Sequence, residues 1–340
     1  MSTQQNPTTT PHSALRTPHR ILVIGPSNIG DAVLASPVVD VLCQRYPQAH
    51  LTLVLGARAK AVFAEDPQVQ TLVDADLYDS AAGRLKLALA LWRYHPQIVV
   101  DLRHTLYPLL LTPLQSWRYL RQPPRALTHM RERHLWKLYA QAPSTRAMQP
   151  QAVPLRFTPK ETAHVDGLWR RWQLNGGRGV VLICPGARSH IKRWVLEGFA
   201  QVANRLMAED GVEVIFSGEP DEKPIIEEIL ALMDRPAHTS VGLTTVRQLG
   251  LLMQRCRLVI TNDSASLHVA SAVQAPTLAI FGPTDAKKYG PTSTRSRVIR
   301  RRLVCAPCER SLCRFSHECM RFISADEVCE AARQLLRPQA

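Results

Sequence analysis

The chain has 340 residues, 45% of them hydrophobic, and 42 Lys and Arg against 28 Asp and Glu give a formal charge of +14. That length allows two domains of ordinary size, each with its own core, and the positive field favours polyanionic partners such as phosphorylated small molecules or an anionic membrane surface. Nucleic acid is disfavoured, because no Lys/Arg block has the aromatic spacing of an RNA-binding sheet, and a membrane span is excluded by the lack of a long apolar run: even Leu106 to Leu114 is broken by Pro108 and Pro113.

Residues 1–19, rich in Thr, Pro and Gln and without an apolar h-region, read as a disordered lead-in rather than a signal peptide, so a cytoplasmic location is expected. From Arg20, short β-branched runs alternate with helical periodicity. Ile21 to Ile24 reads as a buried strand, Ala32 to Tyr46 as a helix, and Leu51 to Leu55 and Val69 to Val73 as strands. A helix through Leu85 to Trp92 and a strand at Ile98 to Leu102 follow. Residues 104–160 break the pattern with Pro, Arg and aromatics and predict irregular helices; this segment is either a solvated Arg-rich surface or a patch for an anionic acceptor or membrane.

The pattern restarts after Asn175-Gly176-Gly177. Strands are expected at Val180 to Cys184, Val212 to Phe216, Leu258 to Ile260 and Thr277 to Phe281, and helices at Val195 to Met207, Lys223 to Met233, Val246 to Met253 and His268 to Val273. Continuous apolar strands separated by helices mean parallel sheets covered on both faces, here two doubly wound halves. The expected division is residues 20–170 for the first domain and 171–340 for the second. Ligands in such folds sit beyond the carboxyl ends of the strands.

Those loops carry the chemistry. The first, Gly25-Pro26-Ser27-Asn28-Ile29-Gly30-Asp31, lacks the Gly-x-Gly-x-x-Gly fingerprint of a dinucleotide-binding oxidoreductase. Its Asp31 is either an N-cap or a general base facing the interdomain cleft. In the loop from Pro185 to Trp194, Gly186 lets backbone approach a ligand, and Lys192 and Arg193 bring positive charge suited to a leaving diphosphate, with Arg188 a further donor-binding candidate; taken alone it could equally be a solvated basic loop. In the loop Ser217-Gly218-Glu219-Pro220-Asp221-Glu222, a carboxylate after the strand can accept hydrogen bonds from two ribose hydroxyls, although helix capping explains Asp221 equally well. Asn262-Asp263-Ser264-Ala265-Ser266-Leu267-His268 leads a strand into a small-residue helix. It reads either as an anion site at an open helix N-terminus or as an ordinary turn capped by the Asp263 or Ser264 side chain.

Ile21-Leu22-Val23-Ile24-Gly25-Pro26-Ser27 with Gly30-Asp31, Pro185-Gly186-Ala187, Lys192-Arg193-Trp194, Thr261-Asn262-Asp263-Ser264, His268-Val269-Ala270 and Phe281-Gly282-Pro283-Thr284 together resemble glycosyltransferase family 9, the ADP-heptose:lipopolysaccharide heptosyltransferases, over about residues 20–335. The resemblance implies a GT-B fold, two Rossmann-like domains facing across a cleft, and inverting transfer of a heptose from ADP-heptose to the lipopolysaccharide inner core without a catalytic metal. It implies Asp31 as the base that deprotonates the acceptor hydroxyl. Lys192 and the backbone of Ser264, Ala265 and Ser266 would hold the diphosphate, Glu222 the ribose, and His268 would orient that backbone or a phosphate oxygen. The implied partners are a nucleotide sugar, an anionic lipopolysaccharide-core acceptor and, peripherally, the inner membrane surface, but no nucleic acid. Alternatives within this frame are a different nucleotide sugar, a protein acceptor, or a catalytically silent binding protein. The chain departs from the family pattern at Gly25 and Pro26, where many relatives carry Lys or Arg, and at Ala265, where Gly is usual.

The spacing Cys305-x2-Cys308-x4-Cys313-x5-Cys319 reads as a structural zinc or iron clip rather than a set of disulfides, the alternative being reduced surface thiols. Its position downstream of every cleft-lining loop predicts an effect on stability more than on chemistry.

Overall fold

The computed structural model describes residues 18–174 and 177–337, so nearly all of the expected lead-in lies outside it. The chain forms two parallel sheets. The first comprises β1 (Arg20–Ile24), β2 (His50–Leu55), β3 (Thr71–Asp74) and β4 (Ile98–Asp101) in the order β3-β2-β1-β4. Between and after these strands come α1 (Ile29–Arg45), α2 (Ala57–Lys60), α3 (Ala81–Tyr94), α4 (Tyr107–Leu111), α5 (Met130–Gln141) and α6 (Pro159–Arg171).

The second sheet comprises β5 (Val180–Cys184), β6 (Glu213–Phe216), β7 (His238–Thr239), β8 (Leu258–Asn262), β9 (Thr277–Phe281) and β10 (Ser296–Arg300), in the order β10-β9-β8-β5-β6-β7. Its helices are α7 (Leu196–Glu209), α8 (Lys223–Ala231), α9 (Val246–Arg255), α10 (Ala265–Ala272), α11 (Ala286–Tyr289), α12 (Glu318–Arg321) and α13 (Ala325–Leu336). Strands β5, β8 and β9 are buried along their whole length, as a sheet covered on both faces requires. The architecture is the expected one of two Rossmann-like halves, and in each sheet the order reverses beside the first strand, the place where such folds bind ligands.

Helix α1 is buried without a break from Ala32 to Leu42, because it lies on the first sheet, against α5, and against α10 of the second half. A helix packed on several sides needs no polar face. One apolar core therefore runs through both halves, from Ile21 and Val23 in β1 to Leu182 in β5, Val259 in β8 and Val269 in α10. A buried ionic joint reinforces the connection. Arg247 of α9 is 2% exposed and donates to Glu161 Oε1 of α6 at 2.6 Å and to the Val62 carbonyl of the first half at 3.0 Å, with Asp66 at 3.5 Å. Breaking one partner of such a pair costs about 3–5 kcal/mol, because the other charge stays buried.

Several expectations shift. The segment 104–160, read as irregular, contains α5, a regular twelve-residue helix whose buried face includes His134, Lys137 and Gln141. Those polar residues hide its periodicity. Strands β7 and β10 and helix α13 were not foreseen, β7 being only two residues long and β10 an Arg-bearing edge strand. Helix α1 starts at Ile29, so Asp31 lies inside its first turn and Asn28 is the N-cap. Helix α10 starts at Ala265, three residues earlier than expected.

Candidate active site

The carboxyl ends of the two sheets face each other across a cleft of about 620 Å³. The first half contributes Asn28 to Asp31, the N-cap and first turn of α1, and Arg58 of α2, just beyond β2. From the second half come Gly186, Arg188 and Lys192 after β5, Glu219 and Glu222 after β6, and Asp263 to Ser266 with His268 after β8. Asp31, Gly186, Arg188, Lys192, Glu222, Asp263 to Ser266 and His268 all line this one cavity, whereas Arg193, also expected beside the diphosphate, is outside the lining and donates to the Ala187 carbonyl at 2.8 Å.

The junction of β8 and α10 is open to an anion. Ser264 occupies the N-cap position in an extended conformation, and no side chain caps the helix. The Asx-capped turn is thereby ruled out, and the first amide groups of α10 keep their hydrogen-bonding capacity and the positive end of the helix dipole for a ligand. Ala265 is the first helical residue and is absent from the positive-φ positions. Glycine is therefore not needed there for backbone reasons, and this departure from the family pattern carries no strain. Asn262 sets the height of the loop opposite: its side chain donates to the Pro185 carbonyl at 2.6 Å and accepts the Trp194 amide at 3.2 Å.

Asp263 does not cap but pairs. Its Oδ2 accepts from Lys192 Nζ at 2.7 Å and from the Thr284 hydroxyl at 2.5 Å, and the residue is only 4% exposed. Lys192 is thus held in place at the cleft wall with protons left for an incoming oxyanion. Arg188 reaches across the cleft to Asn28 Oδ1 at 2.8 Å, and Arg58 pairs across it with Glu219 at 2.7 Å, so both halves already touch through their loops. Asp31 receives only a long hydrogen bond, 3.4 Å, from the Asn28 side chain.

Two glycines are explained by side chains rather than by turns. Gly30 lies within α1, and a β-carbon there would lie 2.8 Å from His268 Cδ2. His268, the fourth residue of α10, is buried with Nδ1 unpartnered, and burial pushes its pKa down to about 4 despite the opposing carboxylates Asp263 and Asp31. It is therefore a neutral imidazole in the cleft wall. At Gly186, which lines the cleft, the direction a β-carbon would take is filled by the Glu222 carboxylate, so a residue without a side chain makes room for Glu222. Glu222 accepts the Glu219 amide at 2.9 Å through Oε2, and burial together with Glu219 and Asp221 raises its pKa.

Sequence reasoning missed Asn28, Arg58, Glu219, Tyr289, Glu309 and Arg310 in the lining. Arg58 was detectable, since it follows the carboxyl end of β2 as the other loops follow their strands. Glu309 and Arg310 were not, because they lie inside the cysteine segment. That segment was expected to lie away from the cleft, yet the Cys308 and Glu309 amides donate to the Pro283 carbonyl at 2.9 and 2.8 Å and bring it to the rim. All four thiols are free, and those of Cys305, Cys308 and Cys313 raise the pKa of Cys319 after burial has done so. Four neighbouring thiols are a suitable donor set for a soft ion. The expected clip is nonetheless not assembled as a ligand cage: among the described residues no three His, Cys, Asp or Glu side chains are disposed to hold a metal. Among the same residues, no helix is long and apolar enough to cross a membrane.

The sequence profile of glycosyltransferase family 9 (heptosyltransferase) matches residues 107–318. Lipopolysaccharide heptosyltransferase 2 of Escherichia coli K12 is 27% identical over 307 residues, covering 83% of this chain and 88% of its own. The solved E. coli ADP-heptose lps heptosyltransferase II superposes with a TM-score of 0.71 at 25% identity, covering 93% of this chain and 98% of that one. The family 9 glycosyl transferase of Veillonella parvula shares the fold, with a TM-score of 0.74 at 20% identity over 94% and 97% of the two chains. With more than half its length matched by the family profile and curated heptosyltransferases similar over most of the chain, this chain belongs to glycosyltransferase family 9 and is a glycosyltransferase.

Proposed function

We propose that the chain transfers a heptose from ADP-heptose to an anionic acceptor of the lipopolysaccharide inner core, with inversion at the anomeric carbon. The observation that carries this reading is the meeting, in one cleft, of an unpaired carboxylate from the first half, Asp31, with an uncapped helix N-terminus and an anchored lysine from the second. The names of the relatives, lipopolysaccharide heptosyltransferase 2 and ADP-heptose lps heptosyltransferase II, supply the donor and the acceptor class.

In this reading Asp31 takes the proton of the acceptor hydroxyl as its oxygen bonds to the anomeric carbon. The bond from that carbon to the diphosphate oxygen breaks on the opposite face, and ADP leaves with the extra negative charge. Lys192, the amides of Ser264, Ala265 and Ser266, and Arg188 meet that charge, which is the work a metal does in other transferases. Glu222 would accept the ribose hydroxyls, and His268, neutral, would donate to a phosphate oxygen or hold the α10 backbone. Gly186 makes room for Glu222. Cys305, Cys308, Cys313 and Cys319 would hold a structural zinc or iron ion whose only contribution is to cross-link the segment that carries Glu309 and Arg310. A cytoplasmic site at the inner membrane surface suits the basic chain and its acceptor.

The test is transfer itself. Purified protein incubated with ADP-heptose and a core oligosaccharide truncated before its second heptose should yield a product heavier by one heptose, with the anomeric configuration opposite to that of the donor. Asp31→Asn should lower kcat about a hundredfold or more while ADP still binds. Turnover close to wild type in that variant would remove Asp31 as the base, and product formed only from another nucleotide sugar would replace the donor.

A further inference from the structure

A second cavity, of about 530 Å³, lies beside the main cleft and shares none of its lining residues. Its floor is one face of α5, with Arg133, His134 and Lys137, and its walls carry Arg125 from the preceding loop and Lys288 from α11. Against these cations the lining holds a single carboxylate, Asp285, and one of its oxygens is taken by the Lys287 amide. Lys137 donates to the Leu102 carbonyl at 2.7 Å, which places the floor at the carboxyl end of β4, on the same edge of the sheet as the Asp31 loop beyond β1. The two cavities share a wall: Asp285 and Lys288 flank it, Thr284 and Tyr289 line the main cleft, and Lys288 pairs with Glu309 of that cleft at 2.9 Å.

His134 shows that this cavity is built to be filled by something polar. It is 5% exposed, and neither Nδ1 nor Nε2 has a hydrogen-bond partner among the described residues. Buried polar groups are ordinarily satisfied, so an imidazole left with an idle donor and an idle acceptor beneath several cations fits a site completed by a ligand. Burial, reinforced by Lys137 and Arg133, pushes its pKa down to about 3, so the ring is neutral and has an N–H to give. Arg125 and Arg133 form no ion pair among the described residues, Arg133 being held by the Leu127 carbonyl at 3.0 Å.

We propose that this cavity is an anion subsite for the acceptor, receiving a carboxylate or phosphate carried on a sugar next to the hydroxyl that is glycosylated. His134 donates to the anion, and Arg125, Arg133 and Lys137 supply its counter-charge. The word acceptor rests on the transferase reading above; the binding of an oxyanion does not. Because the subsite and the cleft are separated by only the Thr284–Tyr289 wall, an anion anchored in one fixes where the neighbouring sugar lies in the other.

The experiment has two arms. In the first, the full chain labelled with 15N-histidine is titrated with inorganic phosphate and, separately, with acetate while the His134 ring is followed by NMR. Movement with phosphate alone points to a phosphate substituent, and movement with acetate alone to an acidic sugar. The Arg133→Gln variant should weaken the response about tenfold, the loss expected for one charge-assisted hydrogen bond, with ADP binding unchanged as the control for folding. A His134 signal that neither anion moves, or that responds equally in Arg133→Gln, overturns the subsite.

The second arm is kinetic. Arg125→Gln and Arg133→Gln should each raise the KM for the acceptor about tenfold with much less change in kcat and in the KM for the donor. Anion binding without any change in acceptor KM overturns the assignment to the acceptor. Absence of all transfer from ADP-heptose would count against the function proposed above and leave the first arm to decide the subsite.

Discussion

A β-carbon placed on Gly186 would fall on the Glu222 carboxylate, so Glu222 holds its place between the β5 loop and the β6 loop because the residue facing it carries no side chain. The carboxylate is held there by the Glu219 amide and lines the cleft. Gly186→Ala must therefore push Glu222 off its place. We expect ADP affinity to fall about tenfold, as for loss of one or two hydrogen bonds to a charged group. Calorimetry on Gly186→Ala, Glu222→Ala and the double variant checks the cause, since a shared mechanism makes the double no worse than the more severe single.

Lys192 and Asp263 act as a pair, and removing one partner changes the meaning of the other. In Lys192→Ala the nearly buried Asp263 keeps only the Thr284 hydroxyl and turns a bare negative charge toward the diphosphate position. The expected loss in ADP affinity and in kcat/KM is about 2–5 kcal/mol. Adding Asp263→Asn should recover part of it. A double variant as weak as the single, by calorimetry and steady-state kinetics, would show that Lys192 matters only through its own charge.

Two buried histidines make the fold acid-sensitive. Burial lowers His134 from 6.5 to about 3 and His268 to about 4, so the folded chain keeps both neutral where the unfolded chain protonates them. Below pH 6.5 the unfolded state binds more protons, and stability falls by roughly 1.4 kcal/mol per pH unit for each ring until the pH nears the folded value. Above 6.5 neither ring contributes. Urea unfolding of wild type and His134→Leu between about pH 7 and 4.5 should show a shallower acid slope in the variant; equal slopes would mean that His134 is protonated in the folded protein.

The cysteine segment should matter for both stability and the cleft. Replacing Cys305 and Cys308 by Ser is expected to lower Tm, and because Glu309 and Arg310 line the cleft it should also weaken ADP. Elemental analysis of protein purified under reducing conditions without chelator should find one equivalent of zinc or iron. Less than about a tenth of an equivalent, with all four thiols freely titratable, would leave them as ordinary reduced cysteines.

The sequence by itself determined the layered fold and most of the cleft. Apolar strands such as Val180 to Cys184 and Thr277 to Phe281, separated by helices, suit a parallel sheet covered on both faces, and ligands in such sheets lie beyond the strand ends, which is where Asp31, Lys192, Glu222 and Asp263 to His268 are found. Local pattern could not say whether Asp263 caps a helix or anchors a lysine, since both uses favour the same residue in the same place; the 2.7 Å pairing with Lys192 decides it. Nor could it reveal why Gly30 and Gly186 are glycines, because the side chains that need the space, His268 and Glu222, are distant in the chain. The same holds for α5. A helix that buries His134, Lys137 and Gln141 against β4 reads as irregular when taken alone, and only the packing of that sheet edge beside the Thr284–Tyr289 wall turns those polar residues into the floor of a second cavity.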